Sequence, residues 1–167
     1  MINDFFIHST ARVDYAKIGK DTKIWHFSHI CDGVKIGKNC IIGQNVYIGP
    51  NVHIGNGCKI QNNVFIPEGA TIEDDIFIGP SVTFTNISSV PRAFISKKDK
   101  FESTLVKIGA SIGANSTILC GITIGRYAMV GASSFINKSV GDFQLVFGSP
   151  AKVVGIVSMN GSEIIYR

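Results

Sequence analysis

No apolar run in this chain approaches the roughly 18 residues that a membrane-crossing helix requires. Charge is sparse as well: 17% of residues are Asp, Glu, Lys or Arg, and the net charge is +4. The sixteen basic residues are scattered, apart from "KKDK" at 97–100. A nucleic-acid partner calls for a denser basic stripe, whereas a mild positive balance suits a small anionic ligand. The four cysteines, Cys31, Cys40, Cys58 and Cys120, form no CxxC pair. They read as reduced thiols packed as small hydrophobes. The opening "MINDFFIHST" carries Asp4 and lacks the basic segment of a secretory signal. The expectation is a cytoplasmic protein with neither a nucleic-acid nor a membrane partner. Helical periodicity is missing too, because apolar residues do not recur at spacings of three and four.

What the chain has is a period of six. Isoleucine occupies 18, 24, 30, 36, 42, 48, 54, 60, 66, 72 and 78, and Phe84 extends the series. Glycine follows at 19, 37, 43, 49, 55 and 79. Small or apolar residues such as Val34, Cys40, Val46, Val52, Cys58 and Val64 fall four positions after an isoleucine. Each hexad reads as a short extended segment and a bend, with the isoleucine inward and glycine or asparagine supplying the unusual bend angles. Three hexads close a triangular coil of eighteen residues, and coils stack about 4.8 Å apart. That predicts three interior ladders: Ile18–Ile36–Ile54–Ile72, Ile24–Ile42–Ile60–Ile78 and Ile30–Ile48–Ile66–Phe84. Cys40 and Cys58 then stack as core.

The rule breaks in three places. The stretch 85–105, "TNISSVPRAFISKKDKFESTL", is polar and charged, and the repeat resumes at Val106. The 22 residues from Phe84 to Val106 are not a multiple of six, so this is an excursion that shifts the phase. A loop of that length inside a repeat points to function. After Val140 the hexads end in "GDFQLVFGSPAKVVGIVSMNGSEIIYR", a candidate cap over the last coil; "GSEIIYR" itself carries no signal. Lastly, the hexad after Ile24 reads "WHFSH" and lacks glycine. The expected organisation is one domain: repeat coils over about 12–84 and 106–141, an inserted loop at 85–105, and a C-terminal cap at 142–167. Stacking by eighteen gathers the polar bend residues into columns. Asp32, Pro50, Glu68 and Asn86 form one column, beside the loop, and His26, Gln44 and Asn62 form another.

The [Ile/Val]-Gly-x-x-x-x motif resembles that of the hexapeptide-repeat acyltransferases, and the resemblance implies an all-β fold, a left-handed parallel β-helix. "GSPAK" at 148–152 is similar to the Gly-x-Pro-Ala-Lys/Arg signature that follows the helix in that family. "IWHFSHI" (24–30), "FIGPSVTFTN…PRA" (77–93) and "TLVKIGASIGANSTILCGITIG" (104–125) resemble the branch that acetylates the 3-amino group of nucleotide-linked deoxy-amino sugars. That branch includes the dTDP-3-amino-3,6-dideoxyhexose and UDP-3-amino-glucuronate N-acetyltransferases. It implies acetyl-CoA as cosubstrate, no metal, a role in surface polysaccharide (lipopolysaccharide) biosynthesis, and a homotrimer with active sites between subunits. It implies a donor groove for which Gly113, Ala114, Gly131 and Ala132 are suited, since they stack eighteen apart and let a pantetheine arm reach the backbone. Lys138 and Lys152 resemble the lysines near the CoA phosphates. Asn86 matches the family's loop asparagine, although Ile87 stands where relatives often carry an acidic residue.

Histidine placement narrows the chemistry. His8, His26, His29 and His53 all precede the loop, so no histidine is on hand there as general base. A hydroxyl acceptor needs such a base. An amine with a pKa near 8 is already partly neutral, and proximity to the thioester supplies much of the rate. The expected roles are Asn86 orienting the amine, Asp32 and Glu68 on sugar hydroxyls or the ammonium, Arg92 on the diphosphate, and His26 and Gln44 on the sugar or nucleotide. His29 is expected to pack against Tyr47 and Phe65. Three rivals stand: an O-acetyltransferase of the same fold, a γ-type carbonic anhydrase holding zinc through His26, His29 and His53, and a non-catalytic β-helix that serves as a binding or structural prism.

Overall fold

An inward isoleucine every sixth residue leaves two residues of strand between bends, and that is the length of nearly every strand. In the computed structural model, which describes residues 4–89, 93–94 and 101–166, these strands line up into three parallel sheets. The first face runs from Phe6–Ile7 through Lys23–Ile24, Ile41–Ile42, Lys59–Ile60, Phe77–Ile78 and Ser111–Ile112 to Met129–Val130. The second holds seven strands, from Arg12–Val13 to Phe135–Ile136, and the third holds six, from Lys17–Ile18 to Thr123–Ile124. The three ladders pair as the period requires, for example Ile18 with Ile36, Ile42 with Ile60, and Ile30 with Ile48. Ile24, Ile42, Ile60 and Ile78 are all fully buried, as are Cys40 and Cys58.

The bends take their unusual angles from asparagine and glycine, as the sequence indicates, with Gly33 and Gly57 among the glycines. The glycine directly after the isoleucine is not the residue with the unusual angle. The left-handed conformation falls two positions later, on Asn39, Asn45, Asn51, Asn63, Asp75, Ser81 and Asn115, with φ between 54° and 61°. Asn and Asp tolerate that region better than other side chains do. The first glycine serves a different purpose, close stacking. A Cβ on Gly37 would lie 2.6 Å from the backbone of Gly55 in the next coil. Coils 4.8 Å apart leave no room there for any side chain.

Polar corner residues run through the interior alongside the isoleucines. Thr22 Oγ1 donates to the Gly37 carbonyl at 2.7 Å and accepts from the Cys40 N–H at 3.0 Å. Ser28 repeats the arrangement with Gly43 and Val46 at 2.7 and 3.0 Å. These bonds satisfy backbone groups that the bends would otherwise leave buried and unpaired.

The coiled path starts earlier than an unbroken count of six indicates. Phe6–Ile7 pairs with Lys23–Ile24, and Arg12–Val13 with His29–Ile30. Both offsets are 17 rather than 18, because only five residues separate Val13 from Ile18. At the other end, Gln144–Gly148 joins the first face in parallel, then Ala151–Val157 and Ile164–Tyr166 extend it antiparallel. The "EIIYR" segment, silent as sequence, thus supplies a strand.

Truncating an inner rung removes burial and leaves a cavity that the stacked backbone cannot close. Ile60→Ala should lower unfolding free energy by about 2–5 kcal/mol, read by urea denaturation. The Cys58 thiol is pushed up by its hydrogen bond to Cys40 and by burial, and all four free cysteines are buried. Native protein should therefore resist a disulfide-exchange thiol reagent, with the four thiols titrating only in denaturant. Rapid labelling of Cys40 or Cys58 in buffer would contradict the packing described.

Candidate active site

The two polar columns stand on different edges of the prism. The edge between the first and second faces carries His26, Gln44, Asn62, Pro80, Ala114 and Ala132 in successive coils. Backbone bonds tie them in order: Asn45 N–H to the His26 carbonyl, Asn63 to Gln44, Ser81 to Asn62, Asn115 to Pro80, and Ser133 to Ala114, at 2.8–3.0 Å. Higher on this edge the side chains shrink. A Cβ on Gly113 would lie 2.5 Å from the Ala132 nitrogen, and one on Gly131 would strike the Phe147 ring. Gly113, Ala114, Gly131 and Ala132 thus present little or no side chain along one line. Phe147, 56% exposed, closes its upper end, and Lys152 pairs with Phe147 across the terminal hairpin. The hairpin turn holds the Ser149–Pro150 cis peptide.

The edge between the second and third faces carries Asp32, Pro50 and Glu68, and higher up Cys120 and Lys138. Lys138 and Lys152 therefore stand on separate edges of one chain. The inserted loop leaves from this second edge. Ile72 pairs with Val106, an offset of 34 instead of 18, so 16 residues are inserted. The insertion splits one corner position into two residues, since 102 − 86 is also 16. Asn86 enters the loop and Glu102 leaves it, and both stack on the Glu68 level. The Glu102 N–H donates to the Asn86 carbonyl at 2.9 Å. The Glu102 carboxylate bonds the Ser88 hydroxyl, and Thr85 Oγ1 accepts from the Cys120 N–H at 3.0 Å. The neck of the loop is closed by these contacts.

Glu102 escaped the sequence reading, although the 16-residue phase shift marks it as the counterpart of Asn86. It brings a carboxylate to the neck of the loop, between Ser88 and Gly121, where Ile87 offers none. Glu68 contributes a second carboxylate one coil below and accepts from Asn51 Nδ2 at 3.3 Å. On the adjoining second face, the Tyr47 phenol is pushed up to about 12 by its hydrogen bond with Cys31, partial burial and the Glu68 charge. Tyr47 stacks on Phe65 at 5.0 Å and meets His29 edge-on at 5.8 Å. His29 also bonds Asp14, Nε2 to Oδ2 at 2.8 Å, a partner the sequence did not reveal. The His29 bond comes first, and Arg12 second, in holding the Asp14 carboxyl below its ordinary range. Arg92 lies outside the described residues.

Within one chain these groups form two half-sites. Asp32, Glu68, Asn86 and Glu102 sit on one edge, and His26, Gln44 and the Gly-Ala line sit on the other, with the width of the second face between them. His26, His29 and His53 are likewise dispersed, on the first edge, the second face and the third face.

The comparisons with known proteins agree with this architecture. The family profile for bacterial transferase hexapeptide repeats matches residues 15–50, 40–74 and 51–86, and that for the hexapeptide repeat of succinyl-transferase matches 106–138. The chain is 43% identical to the dTDP-3-amino-3,6-dideoxy-alpha-D-galactopyranose 3-N-acetyltransferase of Aneurinibacillus thermoaerophilus, over 95% of this chain and 82% of that one. A serine acetyltransferase of Buchnera aphidicola is 32% identical over 60% of this chain, which spans 36% of that relative. Among solved structures, a hexapeptide-repeat acetyltransferase of Vibrio cholerae in complex with acetyl coenzyme A superposes with a TM-score of 0.56. It is 26% identical, over 75% of this chain and 72% of that one. The GDP-perosamine N-acetyl transferase of Caulobacter crescentus shares the fold at a TM-score of 0.63 and 19% identity, over 89% of this chain and 55% of that one. By its repeats and by its identity to that full-length sugar acetyltransferase, the chain belongs to the hexapeptide-repeat transferase family, in the branch of the dTDP-3-amino-3,6-dideoxyhexose N-acetyltransferases.

Proposed function

We propose that this enzyme moves the acetyl group of acetyl-CoA onto the 3-amino group of a nucleotide-linked deoxy-amino sugar. The nucleotide is dTDP in the first instance and UDP in the second, and the work belongs to cytoplasmic precursor synthesis for surface glycans. The 43% identity to an enzyme of that activity supports the reaction class. The observation that carries the site is the pair of half-sites on separate edges. A threefold assembly brings the loop edge of one copy against the Gly-Ala edge of the next, so each catalytic groove is shared between two subunits.

Acetyl-CoA then lies along the Gly113–Ala114 and Gly131–Ala132 line, where small side chains let the pantetheine arm approach closely. Lys152 of that copy and Lys138 of its neighbour flank the phosphates. From the facing edge, Asn86 accepts a hydrogen bond from the sugar amine and aims the nitrogen lone pair at the thioester carbon. Glu68 and Glu102 draw in the ammonium form and retain it until a proton is lost to solvent. Asp32 and Arg92 serve a sugar hydroxyl and the diphosphate. Nitrogen attacks, and a backbone N–H of the groove stabilises the tetrahedral oxyanion. The carbon–sulfur bond breaks as the CoA thiolate leaves, and the sulfur takes the surplus proton from nitrogen. The products are the acetamido sugar and CoA thiol. No histidine base enters this sequence. The absence of histidine from the loop favours the amine over the hydroxyl reading.

Asn86→Ala should lower kcat by about 10²-fold, the scale on which a lost transition-state hydrogen bond is felt, with the oligomer unchanged by size-exclusion chromatography. Ala132→Phe should block the donor groove from the other edge. Co-expressed in equal amounts, the two inactive variants should regain about a quarter of wild-type turnover, because one random interface in four joins two intact edges. No recovery would place the whole site within one chain. Offered the amino sugar nucleotide and its 3-hydroxy analogue, the enzyme should release CoA thiol only with the amine. Equal turnover of the hydroxyl would favour the O-acetyltransferase reading.

A further inference from the structure

The coil containing "WHFSH" departs from the repeat in a way the transfer chemistry leaves unexplained. Where neighbouring coils place glycine after the isoleucine, this one places Trp25, the only tryptophan in the chain. Large exposed aromatics are costly to leave in water without a partner. Trp25 is 38% exposed and Phe27 67%. The surroundings hold the indole in place. Phe6 lies against it at 5.4 Å between ring centroids, and His26 runs nearly parallel to it at 6.0 Å and 13°. His26 in turn stacks on His8 at 3.6 Å. His8 is fixed by the Thr10 N–H, which donates to its Nδ1 at 3.2 Å.

A groove opens beside this aromatic shelf. The residue stacked on Trp25 in the next coil is Gly43, and the one after that is Gln61. With no side chain on Gly43, the space between Trp25 and Gln61 spans two coil rises, about 9.6 Å. Trp25, His26, Ile41, Gly43, Gln44, Gln61 and Asn62 line it. Its wall therefore offers three carboxamides, each presenting an N–H donor and a carbonyl acceptor. Asn62 Oδ1 already accepts from the Gln44 backbone N–H at 2.9 Å, which leaves its amide donors for a ligand. Flat aromatic surface at one end and paired donors and acceptors along the side match a heterocycle carrying alternating carbonyl and N–H groups.

We propose that this groove is the nucleobase subsite of the substrate, with Trp25 and His26 as the stacking shelf and Gln44, Gln61 and Asn62 reading the carbonyl and imide edge of a thymine or uracil. This rests on the reading that the acceptor is nucleotide-linked. The placement fits the transfer site. The groove lies on the Gly-Ala edge, about three coil rises or 14 Å below Ala114. A base, pentose, diphosphate and hexose laid along that edge reach from the shelf to the thioester. The N-terminal coils thus select the handle of the substrate, while the upper coils hold the acetyl donor.

The lone tryptophan makes the subsite directly observable. Titrating dTDP or UDP into the intact protein, without sugar or CoA, should quench its fluorescence saturably. Inorganic pyrophosphate and ribose 5-phosphate should not. In kinetics, Trp25→Ala should raise KM for the amino sugar nucleotide about ten-fold, the order of one base–aromatic stack, and change kcat far less. The amino sugar 1-phosphate, which has no base, should show no such rise, and Trp25→Phe should restore KM by keeping a ring. Acetylation of the nucleotide sugar without quenching by either nucleotide would overturn the subsite alone. Quenching by pyrophosphate as strong as by dTDP would do the same. Acetylation of the 1-phosphate as efficiently as the nucleotide sugar, with no quenching, would remove the nucleotide-linked acceptor itself.

Discussion

Backbone pairing between residues eighteen apart is the constraint that everything else in this molecule obeys. Each coil hydrogen-bonds to the next along three sheets, so successive coils sit one strand spacing apart. That distance puts an isoleucine above an isoleucine and a bend above a bend. It forbids a side chain at Gly37 or Gly113, because the backbone of the neighbouring coil already fills the place where a Cβ would go. It forces a left-handed residue two positions later, which is why asparagine recurs there. The same constraint makes function additive in one dimension. A residue at position n acts beside those at n ± 18, and an edge of the prism becomes a column of chemistry.

That arithmetic made most of the fold legible in advance. The three inner ladders, the burial of Cys40 and Cys58, and the loop as an excursion all follow from counting. What was not legible shows where counting fails. The first coil is one residue short between Val13 and Ile18, so Ile7 and Val13 fall out of phase with the series. Hydrogen bonding closes that coil even though the period does not mark it. The strand at Ile164–Tyr166 carries no repeat at all and is held by pairing with Gly155–Val157. Which bend residue takes the unusual φ and which must only be small was left open, because the two requirements favour the same residue type. Only the stacked geometry separates them.

At the site, sequence reading found the columns but not their relation. Asp32, Glu68 and Asn86 align by eighteens, and so do His26 and Gln44. The six-residue step from His26 to Asp32 puts one face between the two sets, a relation that only the structure makes plain. Glu102 was hidden for another reason: its alignment with Glu68 appears only after the 16 inserted residues are subtracted. The Asp14–His29 bond was hidden by the short first coil, which brings residues fifteen apart into contact. The last two gaps come from irregularities of the path, and both irregularities lie near polar chemistry.

Placing a charged excursion in one corner of a rigid prism also separates two demands that conflict in most enzymes. The core constrains the inner rungs and the buried or closely stacked corner positions such as Thr22, Ser28 and Gly37, whereas the outward corner residues face solvent and leave the ladders undisturbed. Asn86 and Glu102 are joined at the neck by one backbone bond, Glu102 is held by Ser88, and the neighbouring Thr85 is held by Cys120. The loop beyond them is therefore free to vary while its base stays in register with Glu68. On the opposite edge, Trp25 sits in a position that Gly43 fills in the next coil, and it packs against Phe6 and His26 while Ile24 is fully buried. Substrate recognition is thus written into side chains that point outward from a scaffold set by isoleucines that point inward. In the proposed reading the recognition and donor segments share one edge, so their separation is fixed by the number of coils between them. A fixed separation of this kind selects a substrate by length as well as by chemistry, since a shorter donor–acceptor span would leave either the shelf or the thioester unfilled.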